Sequence, residues 1–303
     1  MNTTPTVLHL LPAIHFIQVT GADAEVFLNA QLSQNIASKG TNRVTLAAWH
    51  DSKGRVLGLL HTFPHDDGWL LMVHGDNPES LTQKLKLFVL RDDIEIYDVS
   101  SKWFGAVLLG KNAHWLQGCN KPLDQASENI VKKGAALVFK LSPHAIYLVA
   151  PKDKQHSIES EFEVSNGLAG EIAEIQMGLI NISSTLRQRF TPQMLNLDKL
   201  GALSFNKGCY PGQEVIARVH HRGNLKRRIF RFSGVLSDTP SIGSVLLDLT
   251  GAPVGEVVRS ARADIQRVEL LAIIRIDAAE KHLELAEEPQ KRLTREPLPW
   301  ETL

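Results

Sequence analysis

The sequence predicts an α+β protein: two consecutive ferredoxin-like modules with antiparallel sheets, then a small C-terminal β-barrel. Three observations lead there. From residue 14 to 99, short β-type runs alternate with amphipathic helical stretches. A similar order returns from residue 102 to 162, as topology rather than residue-level repetition. Beyond about residue 226 the pattern changes to short apolar runs separated by Gly, Pro and Asp, as in small closed β-units. The expected division is 1–100 and 101–225 for the two modules and 226–303 for the barrel.

In the first module, Ile14–Thr20 reads as a strand, and Thr20-Gly21-Ala22-Asp23 fits a capping box for a helix. That helix is expected to bury Val26, Phe27, Ala30 and Leu32. Val44–Trp49, Arg55–Phe63 and Trp69–Val73 read as strands, with turns at 52–54 and 66–68. Ser80 is the expected cap of a second helix carrying Leu81, Leu85, Phe88 and Val89 on one side, and Asp93–Val99 closes the unit. In the second module, Lys102–Leu109, Ala135–Lys140 and Ala145–Val149 read as strands, and Asn112–Gln117 and Lys152–Phe162 as helices. Arg228–Leu236, Ser244–Leu249, Pro253–Arg259 and Val268–Ile276 supply the barrel, and Glu287–Leu303 reads as an extended polar strap.

The chain has 303 residues and a formal net charge of zero, so any nucleic-acid surface must be a local patch. Its two cysteines, Cys119 and Cys209, make no disulfide framework, and a reducing compartment is expected. The N-terminal stretch lacks the basic start and apolar run of a signal peptide, and no stretch approaches the roughly 18–20 apolar residues of a membrane span. A cytoplasmic protein follows. Cys119, in Gly118-Cys119-Asn120, has no activating neighbours and reads as a loop thiol.

The other cysteine has a distinctive setting. In Lys207-Gly208-Cys209-Tyr210-Pro211-Gly212-Gln213-Glu214, Pro211 suits the first turn of a helix, Gln213 and Glu214 fall in that turn, and Gly223 is a plausible C-cap. Helix N-termini and nearby cations favour the thiolate, the reactive form of cysteine. Two readings stand: a reactive sulfur beside Lys207, or a small buried hydrophobe. From Val215 to Ser237 no acid occurs, while Arg218, Arg222, Lys226, Arg227, Arg228 and Arg231 do. That run is either a positive field for phosphate or carboxylate, or a solvated helix end. His220-His221 with Cys209 fits no standard zinc spacing, and no metal site is expected.

The Lys207–Glu214 segment resembles the signature of the YgfZ family, folate-binding proteins implicated in tRNA modification and iron–sulfur enzyme maintenance and related to the glycine-cleavage T-protein. Thr20–Leu28, Asp51-Ser52-Lys53-Gly54-Arg55 and Phe190–Asp198 resemble further segments of the family, so the likeness spans most of the chain. The resemblance implies a T-protein-like ring of two modules and a barrel around a central pocket for tetrahydrofolate or a one-carbon derivative. It implies functional roles for Lys207 and Cys209, and cofactor contacts at Gln176, Tyr210, Gln213 and Glu214.

The chain also departs from its relatives. Gln176 stands where the T-protein has a folate-contacting acid, and Ile14 and Gly170 stand where some members have flanking tryptophans. The stretch Val73–Ser80 puts no acid at the T-protein's catalytic place, so aminomethyl transfer is not expected. Three readings remain. One is a folate-binding accessory protein that uses Lys207 and Cys209 to support iron–sulfur enzymes, including tRNA-thiolating ones, with weak tRNA contact through residues 218–231. Another is a one-carbon transferase using Asp76 or Glu214 as its acid. The third is an RNA-binding module built on the basic run.

Overall fold

The computed structural model describes residues 6–36, 43–66, 68–110, 130–142, 145–165, 168–223 and 225–301. The expected helix Asn112–Gln117 and Cys119 lie outside them. Among the described residues, β1 (Val7–Leu10) is followed by β2 (Ile14–Thr20), β3 (Thr45–His50), β4 (Val56–His65), β5 (Gly68–His74) and β6 (Glu95–Asp98). Strands β2 to β6 form one antiparallel sheet in the order β3-β4-β5-β2-β6. Helices α1 (Ala24–Gln31) and α2 (Pro78–Lys86) pack against it.

Both helix starts differ from expectation. Helix α1 begins after Asp23, whose side chain accepts from the Asp93 amide instead of capping the helix. Its buried face is therefore Ala24, Phe27 and Leu28, one i, i+3, i+4 stripe. Val26, 69% exposed, and Ala30 point outward, contrary to the expected inner face. Helix α2 is capped by Asn77, not Ser80. The Asn77 Oδ1 accepts from the Ser80 amide, and Pro78 fills the first turn, where a missing N–H costs nothing. The helix stops at Lys86, so Phe88 falls beyond it, half-exposed and edge-on to Trp49.

The second sheet comprises β7 (Trp103–Leu109), β8 (Val131–Lys133), β9 (Ala136–Ser142), β10 (Ala145–Pro151) and β11 (Glu163–Ser165), with β1 inserted between β11 and β7. Helices α3 (Gln155–Glu159) and α4 (Leu168–Gln176) accompany it. Side chains alternate across a strand. Leu60 of β4 therefore faces the helices of its own module, while Leu59 and Phe63 meet Phe139 and Tyr147 of the second sheet in a shared core. His61 lies on that same inner face.

After α5 (Gln213–Arg222), β12 (Arg227–Val235), β13 (Val245–Asp248), β14 (Pro253–Arg262), β15 (Arg267–Arg275), β16 (Leu283–Leu285) and β17 (Glu288–Glu296) form a closed barrel in the order β12-β15-β14-β13-β16-β17. The C-terminal stretch is thus no loose strap. Its β17 pairs with both β12 and β16 and closes the barrel. It buries little beyond Leu293, too weak an apolar pattern to read as a strand.

Candidate functional site

The Cys209 side chain is exposed. It opens on a shallow groove of about 300 Å³ walled by Val26, Asn29, Ala30, Asn35 and Lys207. The outward face of α1 therefore serves as the wall of the thiol's groove. Lys207 points its ammonium at the carbonyls of Leu32 and Gln34, 2.8 and 2.9 Å away, and stands 5.6 Å above the Tyr210 ring. Leu32 is the C-cap of α1, where the helix dipole is negative and a cation is favoured. Burial pushes the lysine down to about 8. Helix α5 starts two residues later than expected: Pro211 precedes its N-cap, Gly212, and Gln213 is the first helical residue. Gly223, left-handed at φ 63°, closes the helix as its C-cap.

The loop is seated on the β3–β4 hairpin through two glycines. Asp51 Oδ1 accepts from the Lys53 and Arg55 amides and so builds the turn. Gly54 of that turn faces Gly212, whose φ is +76° and whose added Cβ would lie 2.5 Å from the Gly54 Cα. A side chain at Gly212 thus meets both a left-handed backbone and a backbone wall. Gly212→Ala is expected to cost about 3 kcal/mol, from roughly 1–2 for the left-handed conformation and the rest from overpacking. Urea unfolding of the variant measures it. The Phe190–Asp198 segment clamps the same region. The Gln193 amide donates to the Ile216 carbonyl in α5, and the Asn196 amide to the Ile229 carbonyl in β12.

A second, deeper cavity of about 380 Å³ opens between the modules, lined among others by Gln34, Arg43, Thr45, His61, Phe139 and Met177. Asn35 borders both this cavity and the Cys209 groove. The Gln34–Asn35 segment is therefore a partition with the thiol on one side and the cavity on the other, and Lys207 fastens it. The volume is within the usual range of small-molecule sites.

None of the four expected cofactor contacts lines this cavity. Tyr210 is buried beside His50, Gln213 is half-buried, and Glu214 is exposed. Gln176 is exposed at the end of α4, because two residues of helix turn it about 200° away from Glu174, which faces inward. Ile14 is a core residue. Gly170 lets α4 approach β1 and β7 closely, since an added Cβ would lie 3.0 Å from the His9 Cβ. Asp76 is engaged by the Ser184 amide and hydroxyl at 2.7 and 2.9 Å and lies beside Arg187, a loop-fastening role.

The inward-facing acid, Glu174, heads a buried cluster that the sequence reading did not assemble. It is 1% exposed. Arg259 of β14 reaches its Oε2 at 2.5 Å, and the Tyr147 hydroxyl of β10 donates to its Oε1. His74 Nδ1 of β5 lies 3.5 Å from the same Oε1, and His74 Nε2 lies 2.8 Å from His61 Nδ1 of β4. His61 sits opposite Met72 and His74 opposite Leu59, so the two rings are diagonal neighbours on one sheet face. Burial pushes the Glu174 carboxyl up, but Arg259 and the groups of His74 and Tyr147 outweigh it and hold the acid well below the usual carboxylate range. Both sheets, α4 and the barrel meet at this point, and only His61 of the five lines the cavity.

The basic run is partly consumed by the fold. Arg228 forms a bidentate pair with Asp198 at 2.9 and 3.0 Å, and Arg231 pairs with Glu269. Arg218, Lys226 and Arg227 remain exposed, and His220 stacks on Phe205 at 4.0 Å. Among the described residues, no group of three His, Cys, Asp or Glu side chains could hold a metal, and no helix is long and apolar enough to cross a membrane.

No protein-family profile matches the chain. Curated relatives do. The tRNA-modifying protein YgfZ of Sodalis glossinidius is 27% identical over 310 residues, covering 98% of this chain and 93% of the relative. The proteins of that name from Vibrio vulnificus and Escherichia coli O7:K1 are 26% and 25% identical, covering 96% and 98% of this chain and 91% and 94% of their own. Among solved structures, aminomethyltransferase T of the glycine cleavage system from Bartonella henselae superposes with a TM-score of 0.75 at 14% identity, covering 98% of this chain and 87% of that one. The likeness that begins at Lys207–Glu214 therefore extends over nearly the whole chain: the protein is similar to proteins named YgfZ and has the fold of aminomethyltransferase T.

Proposed function

We propose that this protein is an accessory factor in tRNA modification that binds tetrahydrofolate or a one-carbon derivative and supports iron–sulfur enzymes, among them those that thiolate tRNA. The observation that carries this reading is the exposed Cys209 on a loop that Lys207 fastens to the cavity's partition. Cys209 offers its sulfur to a partner or a cluster, and Lys207 fixes where that sulfur stands. An accessible thiol suits the reducing cytoplasm. The cavity suits a flat heteroaromatic ring. Phe139 and Met177 supply apolar walls, Thr45 and His61 supply polar groups, and Arg43 and Lys140 place positive charge beside a ligand with carboxylates. Exposed Arg218, Lys226 and Arg227 add a weak phosphate-attracting field for tRNA.

The test uses cells that lack this protein and measures a thiolated tRNA nucleoside made by a cluster-dependent enzyme. The wild-type gene is expected to restore the nucleoside and Cys209→Ala to leave it at the level of the empty strain. Because the side chain is exposed, the variant's melting temperature should barely move. Full restoration by Cys209→Ala removes the proposed role of the sulfur.

A further inference from the structure

We propose that His61 presents its Nε2 to the central cavity as a proton-free hydrogen-bond acceptor, in a tautomer set by Glu174 through His74, so that the cavity selects a flat ligand with an N–H donor edge. The ligand's identity as a reduced pterin rests on the folate reading; the tautomer does not.

The assignment follows from the chain of contacts. Glu174 is an acceptor on both oxygens: Arg259 donates to Oε2 and the Tyr147 hydroxyl to Oε1. The neighbouring His74 Nδ1, 3.5 Å from Oε1, lowers its energy by carrying a proton toward that charge. Arg259 already balances the carboxylate. A second proton on His74 would leave an uncompensated charge in a site closed to water, which is costly. His74 Nε2 is therefore bare. It stands 2.8 Å from His61 Nδ1, a distance that two bare nitrogens would not hold, so His61 Nδ1 carries the proton. In a neutral imidazole the other nitrogen is then an acceptor. Burial pushes His61 well down and keeps its ring neutral. Packing against Phe139 and Tyr147 fixes its orientation, with ring centroids 5.2 and 5.4 Å away.

A carboxylate facing this cavity would pair with a cationic or guanidine-like edge. Here the carboxylate is saturated and set back by two imidazoles, so the cavity meets the ligand with a neutral acceptor. His61 touches the ligand in this scheme, and His74 is a positioning residue.

Imidazole nitrogen NMR on the labelled, full-length protein reads the tautomer directly, with His61 assigned by the signal lost in His61→Phe. The expected result is a protonated Nδ1 and a bare Nε2 in the free protein. His74→Gln should preserve this pattern, since a glutamine can donate to Glu174 and accept from His61, and His74→Leu should abolish it. Calorimetry with 5-formyltetrahydrofolate as the probe should show binding about tenfold weaker in His61→Phe and His74→Leu, with His74→Gln close to wild type. A proton on His61 Nε2 in the wild type overturns the proposal, as does equal binding by wild type and His61→Phe. A wild type with the expected tautomer that fails to bind the probe rejects the folate reading and leaves the acceptor assignment standing.

Discussion

Arg259→Met is expected to lower stability by about 4 kcal/mol, the typical cost of leaving one member of a buried ion pair alone. Arg259 serves two acceptors from inside the protein: the Glu174 carboxylate at 2.5 Å, and the Leu179 carbonyl at 3.0 Å. Methionine fills comparable space without a charge, so the loss comes from electrostatics and hydrogen bonding rather than from a cavity. The stranded groups are a carboxylate and a carbonyl enclosed by Tyr147 and His74. Removing the carboxylate's charge as well should recover much of the loss. Urea unfolding of Arg259→Met, Glu174→Gln and the double variant forms a closed cycle, and the double variant should be less destabilised than the two single effects added together. Arg259 comes from the barrel and its two acceptors from α4 and the segment after it, so amide exchange should accelerate along α4 and at Leu179. A loss below about 1 kcal/mol would mean the pair is open to water.

The parts of this molecule that lie in one continuous stretch of chain were legible in the sequence; those assembled from distant strands were not. The alternation of β runs and helices, and the switch to short strands after residue 226, come from local periodicity and survive in the two sheets and the closed barrel. Lys207 and Cys209 sit in a single eight-residue segment, so their neighbourhood could be recognised whole. The Glu174 cluster draws on positions 61, 74, 147, 174 and 259, which no window joins. One signal was available. In Leu59-Leu60-His61-Thr62-Phe63, alternation puts His61 on the face of Leu59 and Phe63, a titratable ring on a core surface. Gln176 and Glu174 lie two residues apart on α4, and a resemblance aligned by neighbouring letters carries no information on which side of the helix faces in. Val26 and Ala30 are apolar letters within the helical run, but the contact of α1 with its sheet selects Ala24, Phe27 and Leu28 as the buried stripe. Both are matters of phase, which is set by what each helix packs against.

Phase also explains an expected acid sensitivity. His50 ends β3 with its ring turned inside, against Tyr210, and both ring nitrogens are enclosed without a hydrogen-bond partner among the described residues. Burial pushes it from its ordinary 6.5 down to about 3. Between those values the unfolded chain holds a proton that the folded chain refuses. Acid therefore favours unfolding, and stability falls by about 1.4 kcal/mol for each pH unit lost. His61, held down chiefly by burial, acts in the same direction. Glu174 enters later: its folded carboxyl lies below its ordinary 4.5, so its contribution is intact above that pH and is lost only on further acidification. The window from pH 6.5 to 4.5 thus belongs mainly to buried histidines. His50→Leu should leave stability near pH 7.5 unchanged or slightly raised, because two unpartnered nitrogens leave the interior. It should also make the decline across that window shallower by about 1.4 kcal/mol per pH unit. Urea midpoints measured from pH 7.5 to 4.5 decide the matter, and an unaltered slope would mean that His50 takes its proton while the protein is still folded, through an opening of the β3–β4 hairpin away from Tyr210.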